Sequence, residues 1–81
     1  MAHLANKNLK KIVLQVVDNQ LRENNPPITK ITFERLQQSG YTTQQAKEKI
    51  SAVLLEEMYD VLKTKQPYNE ERYSNKLLKL K

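Results

Sequence analysis

The sequence predicts an all-α fold: a small orthogonal or antiparallel bundle of three main helices and a short C-terminal helix. One glycine and three prolines in 81 residues are too few for the many tight turns of an all-β domain. Apolar residues recur every three or four positions in four successive segments, which is the period of amphipathic helices. We place these segments at about 4–23, 26–39, 43–65 and 69–79, within one domain that spans residues 1–81.

The first segment is an amphipathic helix of about five turns. Its apolar side is expected to consist of Leu9, Ile12, Val13, Val16, Val17 and Leu21, with Leu14 at its margin. Polar residues such as Lys11 and Asp18 fall on the opposite side. The run Asn24-Asn25-Pro26-Pro27 ends the helix, because proline cannot continue a helix and disfavours helical geometry in the residue before it.

The second segment is predicted to be a helix capped by Asn25, with Pro26 and Pro27 in its first turn. Its buried face is expected to carry Ile28, Thr32, Leu36 and Ser39, with Phe33 beside Leu36. Residues 29–33 are also compatible with a short strand, but a single strand without a pairing partner is disfavoured. Gly40 ends this helix, because a left-handed residue suits glycine at that position.

The third segment has the clearest helical pattern. Thr42 and Gln45 have the spacing of a capping box, and Pro67 stops the helix near residues 63–66. Its buried stripe is expected to comprise Ala46, Ile50, Val53, Leu54, Met58, Val61 and Leu62, extended by Leu55 and Tyr59. Together with the first helix, it is expected to supply most of the core.

The last segment begins with a cap, Asn69, followed by Glu70 and Glu71 at the positive end of the helix dipole. Its apolar face is predicted to contain Tyr73, Leu77 and Leu80, with Leu78 adjacent.

Several kinds of active site are excluded by composition. The chain has no cysteine, one histidine and one glycine, so it lacks a thiolate metal site, a histidine cluster and a glycine-rich phosphate loop. His3 has no acidic residue or second histidine within one helical turn. We therefore predict no catalytic residue, no metal and no cofactor, and we expect that the protein is not an enzyme.

Three acidic residues in the third helix, Glu56, Glu57 and Asp60, allow two interpretations. A desolvated pair of carboxyl groups could serve in acid–base catalysis. Glu57 lies at the edge of the core stripe, however, which favours a partly buried ion pair with a basic residue. We name Arg35 of the second helix as its expected partner.

The formal net charge of +5 permits an acidic partner such as nucleic acid. The candidate contacts form two groups near the chain ends: Lys7, Lys10 and Lys11, and Lys76, Lys79 and Lys81. The two groups would merge if the terminal helices packed side by side. A solvated surface is the favoured interpretation, because dispersed lysines are common on small basic proteins.

Tyr41, Tyr59, Tyr68 and Tyr73 are expected to cover the edges of a small core, with their hydroxyl groups toward water. Tyr59, at the margin of the third helix's stripe, is also a candidate for a self-association face.

Several pieces of the chain, in order, resemble a family of short uncharacterised bacterial proteins, a conserved domain of unknown function. The matching pieces are Val17-Asp18-Asn19-Gln20-Leu21, Pro26-Pro27, Arg35-Leu36, Gly40, Ala46, Ile50, Val53-Leu54-Leu55-Glu56-Glu57, Pro67, Tyr73, Leu77 and Leu80. The family pattern carries histidines where this chain has Lys10, Leu14, Gln44 and Glu48. The resemblance therefore implies a helical fold of bacterial origin, without a role for those histidines.

The function predicted from the sequence is that of a small non-enzymatic interaction module, which binds a protein partner or itself. The alternative is a nucleic-acid-binding module that uses the two lysine groups. No apolar run approaches the roughly 20 residues of a membrane span, so we expect a cytoplasmic protein that does not associate with membranes.

Overall fold

The computed structural model describes residues 7–81, with side chains from residue 9 onward. It contains α1 (Lys7–Glu23), α2 (Pro27–Gln38), α3 (Thr43–Thr64) and α4 (Glu70–Leu78), and no strand within the described residues. The prediction of an all-α bundle of four helices is confirmed. The predicted first turn of α1, residues 4–6, lies outside the described residues.

Local signals set most helix ends. Asn24 ends α1 in the left-handed conformation, at a φ of 53°, which asparagine tolerates better than most residues. Gly40 follows α2 at a φ of 105°, as predicted. The capping box of α3 forms: the Thr42 hydroxyl accepts the Gln45 amide N–H, while the Gln45 side chain accepts the Thr42 N–H. Asn69 caps α4 by accepting the Arg72 amide N–H.

The start of α2 differs from the prediction. The helix begins at Pro27, and the residue before it, Pro26, is extended and makes no side-chain cap. Asn25 was expected to cap this helix, but it lies one residue too early to do so. The physical reason is that Pro27 excludes Pro26 from helical geometry and so delays the helix by one residue.

Two helices form the centre of the bundle. Both α2 and α3 pack against each of the other three helices, whereas the backbones of α1 and α4 do not approach each other closely within the described residues. The expectation that the first and third helices supply most of the core is confirmed, since α1 and α3 carry five of the eight buried apolar residues and α2 and α4 carry the other three. The buried apolar residues are Val13, Val17, Leu36, Ala46, Ile50, Leu54, Tyr73 and Leu77.

A buried polar contact joins three helices inside this core. The Gln20 Oε1 atom of α1 accepts one hydrogen bond from the Thr29 hydroxyl of α2, at 2.8 Å, and another from the Tyr73 hydroxyl of α4, at 3.0 Å. Burial raises the pKa of Tyr73 to about 12. The hydroxyl consequently stays protonated near neutral pH and remains a donor to Gln20.

Several residues predicted to be buried are exposed. In α1, Ile12 and Val16 precede the buried Val13 and Val17 by one residue, which turns them about 100° away from the core. In α2, Thr29 is buried and Ser39 is exposed, because α2 ends at Gln38 and Ser39 lies beyond its packed face. The largest departures are Met58 and Leu62 in α3. They are considered with the candidate site.

Candidate interaction surface

The second half of α3 is held against α4 by charged side chains. Glu57 is fully buried, and its carboxylate accepts hydrogen bonds from the Arg72 Nε atom at 2.9 Å and the Arg72 Nη2 atom at 2.5 Å. The Lys76 ammonium group lies one turn further along α4 and is 3.5 Å from the Glu57 carboxylate. A buried carboxylate thus faces two cations from one side of α4.

Lys76 extends this contact toward the surface. Its ammonium group is 2.8 Å from the Asp60 carboxylate and 3.2 Å from that of Glu56. We refer to Glu56, Glu57, Asp60, Arg72 and Lys76 as the ion-pair cluster. It forms because α3 presents acids at spacings of one, three and four residues, while α4 presents two bases four residues apart, which share a helix face.

The contacts of the cluster shift the pKa values of its members. The hydrogen bonds from Arg72 hold the pKa of Glu57 below its ordinary value, although burial acts in the opposite direction. The hydrogen bond from Lys76 likewise lowers the pKa of Asp60, and the same contact raises the pKa of Lys76. Glu57 therefore remains ionised near neutral pH, which does not suit the role of a catalytic acid.

The predicted ion pair between Glu57 and Arg35 is wrong in its partner. Arg35 instead donates to two backbone carbonyl oxygens at the end of α4: Leu80 O at 2.6 Å and Leu77 O at 2.8 Å. The last carbonyls of a helix lack intrahelical partners and carry partial negative charge, so they attract the guanidinium group. The signal in the sequence for the actual partners of Glu57 was the spacing of two basic residues, Arg72 and Lys76, which are four positions apart.

An apolar surface lies on another side of the same half of α3. We define the apolar stripe as Leu55, Met58, Tyr59 and Leu62, which share one helix face at positions i, i+3, i+4 and i+7. Ser51, one turn earlier on this face, is buried, and Leu55 is half-buried. Met58 and Leu62 then reach 36% and 73% exposure.

This gradient has a structural cause. The ion pairs from α1 to α3 join Lys10 to Glu48 and Asp18 to Lys47, both in the first half of α3. Ser51 is buried just beyond them, and exposure rises from there to Leu62. The sequence prediction that Met58 and Leu62 are buried fails because the cover over this face of α3 ends before them.

Charge is unevenly distributed along the chain. Residues 56–76, which include the ion-pair cluster, contain five acidic and four basic residues. The rest of the chain contains four acidic and ten basic residues. The segment that contains most of the apolar stripe is therefore close to neutral, although the whole chain is basic.

Two of the predicted nucleic-acid contacts are engaged in ion pairs. Lys10 pairs with Glu48 at 3.5 Å, and Lys76 belongs to the ion-pair cluster. Lys11, Lys79 and Lys81 are exposed, while the side chain of Lys7 lies outside the description. The two groups are on α1 and at the end of α4, and these two helices do not lie side by side, which was the condition for merging them.

An open cleft of about 310 Å³ lies beside the first half of α3, lined by Tyr41, Gln45, Glu48, Lys49 and Ala52. Its charged groups are already engaged: Glu48 pairs with Lys10, and the Lys49 ammonium group lies 4.7 Å from the centre of the Tyr41 ring. Among the described residues, no group of three or more histidine, cysteine or acidic side chains could hold a metal ion. His3 lies outside them.

The helices of the described part of the chain are all too short or too polar to cross a membrane. Comparison with protein-family models, curated proteins and solved structures finds no match to the chain. The resemblance to a family of bacterial helical proteins therefore remains a prediction.

Proposed function

We propose that the protein is a small non-enzymatic interaction module that self-associates through the apolar stripe of α3. The observation that supports this proposal is the exposure of Leu62. Its side chain is 73% exposed, although the same face of α3 is buried in the first half of the helix. Burying an exposed leucine against an apolar surface contributes about 1.5–3 kcal/mol. The stripe is thus a surface where contact with another apolar face is favourable.

A second copy of the chain fits this surface better than an acidic partner does. The net charge of +5 opposes contact between two copies over most of the surface. This repulsion is weaker for the segment that carries most of the stripe, because residues 56–76 are nearly neutral. An acidic partner would instead be attracted to the basic remainder of the chain, away from the stripe.

The size of the domain is a second reason. A chain of this length buries a small core, so an association that covers exposed apolar surface adds to its stability. The stripe has four residues, whereas a standard stable interface involves about 20–30 residues on each side. We therefore expect a weak dimer, with a dissociation constant in the micromolar range or above.

Sedimentation velocity over a range of concentrations tests the proposal. We expect the wild-type chain to shift from monomer to dimer as its concentration rises toward the millimolar range. Leu62→Glu should remain monomeric, because a carboxylate buried at an apolar contact is strongly unfavourable. Since Leu62 is mostly exposed in the monomer, this variant should retain the helical signal and thermal midpoint of the wild type.

Leu78→Glu is the matched control. Leu78 is 61% exposed on α4 and is not part of the stripe, so the same change of charge and size there should leave dimerisation intact. A wild-type chain that stays monomeric at every concentration contradicts self-association. Equal loss of the dimer in both variants contradicts the assignment to the stripe.

The nucleic-acid hypothesis remains a prediction, supported by the ten basic residues outside 56–76. Salt separates it from self-association. Binding to phosphates weakens steeply as salt rises, because neutralised phosphates release counterions. An apolar contact between two copies should persist, since added salt weakens apolar contacts much less than charge contacts.

A further inference from the structure

We infer that two copies pair antiparallel along α3, with Glu56 of each copy facing Lys63 of the other. This inference rests on the proposed function and adds the orientation of the partner and the residues that select it. It makes Glu56 and Lys63 the specificity-determining residues of the contact, while the apolar stripe supplies its favourable energy.

The positions of the two charges lead to this orientation. Glu56 and Lys63 are seven residues apart, which is about two helical turns. They therefore lie on the same flank of α3. Both are exposed, and both border the apolar stripe on the side of Tyr59. Lys76 holds the Glu56 carboxylate from within the chain while leaving the side chain 65% exposed.

Symmetry decides what these flanks meet. A two-fold axis between two antiparallel helices brings the same flank of each helix together with the residue order reversed. With the axis near residues 58 and 59, Leu55 faces Leu62 of the second copy and Met58 faces its Tyr59. Lys63 of the second copy then lies two residues, about 3 Å along the axis, from the position directly opposite Glu56, which its long side chain can span, and the reverse pair forms by symmetry.

A parallel pair lacks these contacts. Its two-fold axis runs along the helices and sets the flank of Glu56 and Lys63 against the opposite flank of the second copy, so the two ion pairs do not form. The same side chains therefore favour the antiparallel pair over the parallel one. They also disfavour partners that do not place a positive residue against Glu56 and a negative residue against Lys63.

Disulfide cross-linking tests the orientation, because the chain has no cysteine of its own. In the antiparallel pair, the two copies of residue 62 are about 10 Å apart along the helix axis, beyond the roughly 7 Å that a disulfide allows between Cα atoms. Leu62→Cys alone should therefore cross-link poorly. A mixture of Leu55→Cys and Leu62→Cys should form the mixed disulfide under mild oxidation.

Charge reversal tests the specificity. Lys63→Glu alone, or Glu56→Lys alone, should raise the dimer dissociation constant about tenfold, because two like-charge contacts replace two ion pairs. Mixing the two variants should restore wild-type affinity through a heterodimer. Lys30→Glu, an exposed lysine of α2, is the control with the same change of net charge and should behave like the wild type.

The outcomes separate the two levels of the hypothesis. A monomeric wild type overturns both self-association and the antiparallel orientation. If the wild type dimerises and Leu62→Glu does not, but Leu62→Cys cross-links with itself, the dimer is parallel and this inference is wrong. It is also wrong if Lys63→Glu and Lys30→Glu have the same affinity, or if mixing the two charge variants restores nothing.

Discussion

On the two sides of the second half of α3, the usual distribution of buried apolar and exposed charged side chains is reversed. On the side of α4, a carboxylate is fully buried and held by a guanidinium group, whereas on the side of the apolar stripe a leucine is 73% exposed. Buried charges are costly unless they are paired, and apolar side chains usually lie inside. The contrast shows that burial here depends on which neighbouring helix reaches each side.

The largest expected effect is on the free energy of unfolding, and it distinguishes the covered end of α3 from the uncovered end. Ile50 is fully buried in the first half, so Ile50→Ala should lower the free energy of unfolding by about 2–4 kcal/mol. Leu62→Ala removes a similar number of atoms from the exposed end, and should cost less than about 0.5 kcal/mol in the monomer. Urea unfolding at low protein concentration measures both.

If the two substitutions cost the same, Leu62 is packed in the monomer and the stripe is part of the core. If Ile50→Ala costs almost nothing, α3 is not central to the bundle.

The next effect concerns the ion-pair cluster. Arg72→Ala leaves the Glu57 carboxylate buried with Lys76 as its remaining cation, and should lower the free energy of unfolding by about 2–3 kcal/mol. Replacing the pair together, Glu57→Leu with Arg72→Leu, should recover a large part of this loss, since no unpaired charge remains. Thermal unfolding of the single and double variants measures the difference.

Arg35→Ala is a useful comparison. It removes another guanidinium group that holds α4, but it leaves no buried charge without a partner. Should the double variant be less stable than Arg72→Ala alone, the cost of Arg72→Ala does not come from the orphaned carboxylate.

The smallest effect is on pH dependence. The folded-state pKa of Glu57 is lowered, first by the hydrogen bonds from Arg72, so the unfolded chain takes up a proton at a higher pH than the folded chain. The stabilisation is therefore fully present above the ordinary carboxyl pKa of about 4.3, and is lost as the pH falls through the folded-state value. Asp60 shifts in the same direction.

We expect the wild-type stability, measured by urea unfolding, to decline as the pH falls below about 4. Arg72→Ala should show a shallower decline, because it removes the main cause of the lowered pKa of Glu57. Identical slopes in the two proteins would indicate that other carboxyl groups govern the acid response.

The parts of the fold predicted correctly from the sequence are those determined by neighbouring residues. The capping box of Thr42 and Gln45, the cap at Asn69 and the left-handed Gly40 each depend on a few positions, and all three are confirmed. The start of α2 was missed by one residue, although the reason, the effect of Pro27 on Pro26, is also local.

The candidate site depends on where distant helices lie. Periodicity places Met58 and Leu62 on an apolar face of α3, but it contains no information on how far α1 covers that face. The sequence also indicated that Glu57 would be paired, yet the choice between Arg35 and Arg72 depended on the position of α4. Tyr59 was a candidate for a self-association face from its place at the margin, and that role remains a prediction.

A dilution series followed by two-dimensional amide NMR tests the central claim most directly, because it reports both whether the chain self-associates and through which residues. We predict concentration-dependent shifts centred on Leu55, Met58, Tyr59 and Leu62, with smaller shifts at Glu56 and Lys63. Amide signals that do not change from millimolar to micromolar concentration would contradict self-association. Shifts centred on α1 or on the end of α4 would contradict the assignment of the contact to α3.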